Sequence, residues 1–526
     1  MKRFILIIAA LIVILIPHVT FSQDKYPDKI HLKANLEFLA SDELGGREAG
    51  THDEKVASLF IASRLEEYGI LPFGDSSTYF QNFNLQLSSY SPNSLLTLIN
   101  KNGTILDSAS EWFAGKDFVS ASRGFSDDYY LSQSTGIVFA GFGIKADEYN
   151  YNDYLDLNVK GKTVVVLSGE PYSKDTNYFA GAKRTKYSML NMKAETAKQM
   201  GAAGILVLSN DMITKYWDFL SERTTSPNYK LLKDTETNEL ANGDIPAFII
   251  SNDFAWKLFD GETYMFNDIQ QLEENHDKLP HFVLNKQLKY NLKINIDLVK
   301  ARNVIGILPG IDPKLKTEYV VMSAHYDHLG TRRGVVYNGA DDDGSGTVSV
   351  LESARLLAKI HSNKRSILFV FHTGEEKGLL GSEYLTSTVN FMDKIITDIN
   401  LDMVGRGSGD SIYCIGSNKL STEYYQFVKQ TNEKTSQLFL NYKFDDPNDP
   451  ERFYYRSDHY NYAKFNIPIV FFFDDMTVDY HKPTDDVDKI NFDKIAEVVN
   501  LAYYLALDSS NRENKFVIDK TETLTR

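Results

Sequence analysis

The sequence predicts an α/β fold: a mostly parallel central sheet flanked by helices, with a β-rich insertion. Three observations carry this prediction. After Asn303, near-continuous apolar runs such as "YVVM", "ILFVF" and "IPIVFFF" alternate with helical stretches, the pattern of parallel strands covered on both faces. Polar, chemistry-bearing residues follow those runs directly, where open α/β sheets gather their functional groups. Between about Gln81 and Ile296 the texture changes to short strands and loops.

The chain opens with "MKRFILIIAALIVILIPHVTFSQ", basic at Lys2 and Arg3 and apolar from Phe4 to Ile16. That run is shorter than the roughly 20 residues of a membrane span. It fits a secretory signal cleaved after Ser22, which predicts export to a periplasm or the medium and no stable membrane insertion after cleavage. Cysteine is absent near the cleavage point, so lipid attachment is not expected there. Cys414, the one cysteine of the chain, excludes an intrachain disulfide and reads as a small buried apolar residue. Acidic residues outnumber basic ones by 71 to 56, for a net charge of -15. Such a surface repels phosphate backbones and argues against nucleic acid as a partner.

Residues from Tyr26 to Gly69 read as helical. Ala57, Phe60, Ile61 and Leu65 fall on one face, and Gly69 is placed to stop the helix. The middle region carries strand-like runs, among them "GIVFAGFGI", "GKTVVVLSG", "AAGILVLSN" and "IPAFIIS". Farther on, "NVIGILPG" and "EYVVMSAH" read as strands separated by a turn. "DDDGSGTVSVLESARLLAKI" runs from acids into a helix with a stripe at Val350, Ala354, Leu357 and Ala358.

Beyond successive strand ends stand "AHYDH", "DDDG", "GEEKG", "NLDMVG" and "YHKPTDD". His325, Asp342, Glu376, Asp402 and His481 supply two imidazoles and three carboxylates. Mixed nitrogen and oxygen donors suit zinc or a neighbouring transition metal. Five are more than one catalytic zinc uses, whereas two metals sharing a carboxylate would use them all.

These motifs resemble those of the co-catalytic di-zinc exopeptidases of metallopeptidase family twenty-eight, which include bacterial leucyl-type aminopeptidases and glutamate carboxypeptidase. The resemblance implies the zinc exopeptidase fold and two Zn2+ per chain. One zinc would take Asp342, Glu376 and His481, the other Asp342, Asp402 and His325. It also implies that Glu375 is the general base activating a metal-bridging water. Asp327 would be the acceptor that fixes His325, and Asp458 and His459 supporting residues. His328 and His372 have no assigned ligand place and read as structural. Tyr454, Tyr455 and Arg456 are candidates for the substrate pocket. The middle region resembles a protease-associated domain. The implied order is a signal peptide at 1–22, an amino-terminal part of the peptidase domain at 23–110, and the insertion at 111–290. The catalytic core follows at 291–510 and a polar tail at 511–526.

The expected function is a secreted zinc aminopeptidase acting on peptides. A carboxypeptidase on the same fold is the main alternative, with Arg406, Arg452 and Arg456 as conceivable carboxylate clamps. A one-metal glutaminyl-cyclase-like enzyme is a further alternative, disfavoured by the five-ligand set. The unassigned residues around the motifs, Asp341, Asp343, Asp474, Asp475, Asp485 and Asp486, are acidic and favour a free ammonium over a carboxylate.

Overall fold

A computed structural model describes residues 26–521 except 92, 108–109, 122–129, 176–177, 233–244 and 448. The signal sequence expected at 1–22 lies outside the described residues. Among these, no helix is long and apolar enough to cross a membrane. The chain divides into two compact units: one runs up to Gln81 and resumes at Arg302, and the other is Asn82–Ala301.

The first unit is an α/β layer structure. Helices α1 (Lys29–Leu39) and α2 (His52–Glu67) are capped by Asp28 and Thr51, whose side chains accept backbone N–H groups of the first turn. Ala57, Ile61 and Leu65 of α2 are fully buried, and Gly69 follows at φ 76°, a conformation that ends a helix cheaply only with glycine. The sheet is built on the end, from Arg302, of the long strand β1 (His281–Leu308), with β2 (Tyr319–His325), β3 (Ser366–His372), β4 (Ile395–Leu401), β5 (Ser411–Ile415) and β6 (Ile469–Phe473). Strand β2 lies between β3 and β4, parallel to both, and β6 runs parallel beside β4. Val304–Leu308 of β1 and Tyr413–Ile415 of β5 flank them antiparallel on the two sides. The middle strands are buried on both faces and mostly apolar, with Ser323, Asp398 and Asn400 buried polar exceptions joined by hydrogen bonds from the Ser323 hydroxyl; α3 (Gly346–Ile360) and α4 (Phe492–Asn511) bury long stripes against them. Cys414 is fully buried in β5.

Chain order reverses across β2, which is followed by β3 on one side and β4 on the other. Such a reversal opens a crevice at the carboxyl ends of the strands. His325 ends β2, and Asp402 immediately follows β4.

The second unit is wider than the expected insertion at 111–290. Leu95–Asn100 pairs with Lys286–Asn291 and so belongs to it; a strand's allegiance depends on its distant partner, which local sequence does not encode. The unit is also less purely β than expected. Thr163–Leu167, Gly204–Leu208 and Ala247–Ile250 form a parallel set, accompanied by the helices Leu190–Gln199 and Asn252–Phe259.

Candidate metal centre

His325, Asp342 and Asp402 converge at the end of the parallel strands, and each is almost fully buried. His325 Nε2 lies 3.4 Å from Asp342 Oδ1 and 3.6 Å from Asp402 Oδ1. On the other side of Asp342, His481 Nε2 lies 3.2 Å from Asp342 Oδ2 and 3.1 Å from Glu376 Oε2. Donors bound tetrahedrally at about 2.0–2.2 Å from zinc stand about 3.4 Å apart. The observed separations match that edge. His325 Nε2, Asp342 Oδ2 and Glu376 Oε1 are buried without a hydrogen-bond partner in the protein, so their close approaches are not aligned hydrogen bonds. Buried polar atoms are rarely left so; a cation would satisfy them, and the donor set fits zinc.

The loops around the centre are held by the acids that the sequence left unassigned. Asp343 accepts from the backbone N–H groups of His325 (3.1 Å), Gly346 (2.9 Å) and Met403 (3.1 Å), tying β2, α3 and the loop after β4 together. Asp341 accepts from Gly405 N and Ser345 Oγ. Asp485 accepts from the N–H groups of Asp341 and Asp342, and Asp474 pairs with Lys494. Asp341, Asp343, Asp474 and Asp485 therefore brace the site from within, and their charge is spent there instead of facing a substrate. Arg406 is likewise committed, to Asp479 and to the carbonyl of Lys489.

Two site residues behave differently from expectation. His325 Nδ1 lies 3.1 Å from the backbone carbonyl of Asp327 and 3.7 Å from its carboxylate. The carboxylate of Asp327 instead accepts the N–H of Glu375 at 3.2 Å, which braces the loop of the paired glutamates. His328, read as structural, is fully buried with Nδ1 2.7 Å from Glu376 Oε1 and 3.9 Å from Asp342 Oδ2. With Asp342 and Glu376 it forms the second donor group, in the place expected for His481. Its spacing of three from His325 was the available signal. His372 faces Tyr462 Oη at 3.1 Å, and His459 faces the carbonyl of Tyr454 at 2.9 Å; burial pushes both imidazoles down to about 3.

Arg47 was not anticipated. It is fully buried and donates to the carbonyls of Leu39, Tyr326, Asn338 and Gly339. It thereby clamps the segment after His325 to the segment before Asp342. Its only sequence signal is an arginine inside the glycine-flanked "GGREAG".

Glu375 lines a small cavity with Asp342, Asp402 and His481. Burial pushes its carboxyl well above the usual range, and Asp402 and Glu376 add to this against the pull of His325. Burial works to lower His481, but Glu376 and Asp342 outweigh it and hold the imidazole at about 10.

Residues 303–506 match the family model of Peptidase family M28. A probable leucine aminopeptidase of Arthroderma otae is 30% identical over 222 residues, covering 39% of this chain and 58% of its own. A probable zinc metalloprotease of Pyrenophora tritici-repentis is 42% identical over 97 residues, covering 17% of this chain and 19% of its own. The chain thus spans little more than half the length of the first relative. Among solved structures, the aminopeptidase from Aneurinibacillus sp. strain AM-1 superposes with TM-score 0.56 at 16% identity, over 95% of this chain and 99% of its own. A zinc aminopeptidase from Bacillus subtilis gives 0.50 at 20% identity, over 95% and 97%. These two share the fold.

Proposed function

We propose that residues 303–506, which match the model of Peptidase family M28, form a domain of that family, and that the protein is a zinc aminopeptidase that removes amino-terminal residues from peptides. One observation carries the two-metal form of this reading. The two oxygens of Asp342 face different imidazoles, Oδ1 that of His325 and Oδ2 that of His481, as a carboxylate shared between two cations would. His325 and Asp402 would hold one zinc beside Asp342; His481 and Glu376 would hold the other. Bound zinc would polarise the scissile carbonyl and lower the pKa of water.

The protein's own groups supply the rest. Glu375 takes the proton of the attacking water and passes it to the leaving amine, and Asp327 keeps its backbone in place. Asp342 and Asp402 are taken up by the cations they would hold, so Glu375 is the carboxylate of the cavity wall left to attract a substrate ammonium. Met403, Phe453, Phe471, Phe473, Met476 and Tyr480 line the same cavity and suit an apolar first side chain. Of the clamps a carboxypeptidase would need, Arg406 is spent on Asp479. The basic start and apolar run of the leader support export of the chain. The deciding experiment offers the zinc-loaded protein free-amine and amine-acetylated peptides. Cleavage confined to the free amine is expected; cleavage of acetylated peptides would make it a carboxypeptidase.

A further inference from the structure

A larger cavity, of about 380 Å³, adjoins the metal centre within the same unit. Its lining includes Arg452, Arg456 and Lys464, the aromatic rings of Tyr455 and Tyr460, and one acid, Glu383. Arg456 lines both cavities. Its Nη2 lies 3.5 Å from Tyr480 Oη, and the ring of Tyr480 stacks on the ligand His481 at 3.8 Å. Three cations on one cavity wall stand out on a chain of net charge -15. Each is laid over an aromatic ring: Arg452 over Tyr455 at 4.7 Å, Arg456 over Phe453 at 4.6 Å and Lys464 over Tyr460 at 5.3 Å. Such stacking holds long cationic side chains against the wall and reduces the ordering cost of binding an anion there.

The second cavity thus carries three cations against Glu383, whereas Glu375 is the carboxylate of the first that no zinc would take, and Arg456 is shared between the two. Because Arg456 lines both cavities, a peptide whose ammonium lies in the first can reach the second. We propose that the second cavity binds a carboxylate just downstream of the scissile bond, making short peptides with a free carboxyl end, or with an acidic following residue, the preferred substrates. This rests on the aminopeptidase reading.

The test compares leucyl-alanine, leucyl-alanine amide, leucyl-aspartate amide and N-acetyl-leucyl-alanine on the zinc-loaded enzyme. Amidation of leucyl-alanine should lower kcat/KM about tenfold, mainly through KM, as loss of a charge-assisted contact does. Arg452→Gln and Lys464→Gln should bring the ratio of acid to amide towards one, with melting temperatures measured to confirm folding. If leucyl-aspartate amide is also preferred over leucyl-alanine amide, an acidic side chain serves as well as a carboxyl terminus. Equal KM for all three free-amine substrates on the wild-type enzyme would overturn the proposal and leave the aminopeptidase reading standing. Cleavage of the acetylated peptide with the amide spared would overturn both.

Discussion

The two compact units differ in how completely buried charge is answered. In Asn82–Ala301, the buried carboxylates of Asp117, Asp153 and Glu262 each accept a backbone N–H, from Phe113, Ile144 and Asn285 respectively. The buried Lys193 donates to the carbonyl of Phe142. Each charge there is answered locally. In the other unit, buried oxygens of Asp342 and Glu376 and a nitrogen of His325 crowd together without hydrogen bonds. Burying charge without a partner costs several kcal/mol, so an arrangement of this kind persists where something else is meant to bind. A buried charge by itself therefore says little; one left unanswered beside others points to function.

The most severe way to break this contrast is to alter the acid assigned to chemistry. Glu375→Gln keeps the size and hydrogen bonding and all five ligands. Turnover should fall about 10²–10⁴-fold with the zinc content unchanged by metal analysis. Activity within a few-fold of wild type would remove Glu375 from the role of base.

Metal stoichiometry sharpens the contrast next. Asp342→Ala should empty both sites together, whereas His325→Ala should chiefly empty the one it shares with Asp402. Carboxylates hold His481 at about 10, so a cation must displace its proton and zinc affinity should fall as the pH is lowered. Wild type saturating at one zinc per chain would refute the shared-carboxylate arrangement.

How far this was legible in the sequence depended on whether a signal was local. The strands of the first unit declared themselves because burial on both faces demands unbroken apolar runs, as in Ile469–Phe473. The convergence of His325, Asp342 and Asp402 was readable because metal-binding side chains stand at a strand end, in the acidic run before α3 and just after β4. Arg47 was not, because its partners are backbone carbonyls as distant in sequence as Gly339, and carbonyls have no residue code. The exchange of roles at Asp327, carbonyl to His325 and carboxylate to Glu375 N, was hidden for the same reason.

Lys193 allows the quieter unit to be tested. Burial lowers its pKa from 10.5 to about 7, against the opposing pull of Asp153, Glu170 and Glu273. Below pH 7 the lysine is charged in both folded and unfolded chains, and the fold bears its full desolvation. Between pH 7 and 10.5 the unfolded chain holds a proton that the folded chain has released, so stability rises with pH by a few kcal/mol at most. All three tryptophans, Trp112, Trp217 and Trp256, lie within this unit, so tryptophan fluorescence follows its unfolding selectively. Lys193→Met should flatten the rise; an unchanged pH profile would mean that the amine is hydrated or paired in a way that leaves its pKa unshifted.

Glu54 offers the mirror-image test in the metal-bearing unit, with the smallest expected effect. It is fully buried in α2 and accepts the hydroxyl of Tyr326, the residue between His325 and Asp327. Burial raises its pKa from 4.5 to about 7, although the Tyr326 hydroxyl and Arg302 act against this. Below pH 4.5 the carboxyl is neutral in both states and has no effect on the pH profile. As the pH rises from 4.5 to 7 the unfolded chain loses the proton first, so this group makes stability fall with pH, the reverse of Lys193. Glu54→Gln keeps an acceptor for Tyr326 and cannot ionise. It should slow hydrogen exchange of the Tyr319–His325 strand at pH 8, by about 1–3 kcal/mol of opening free energy, and change little at pH 4. Equal exchange rates for the two proteins at pH 8 would show that the carboxylate is stabilised as an anion in place, with Tyr326 a stronger donor to Glu54 than its geometry indicates.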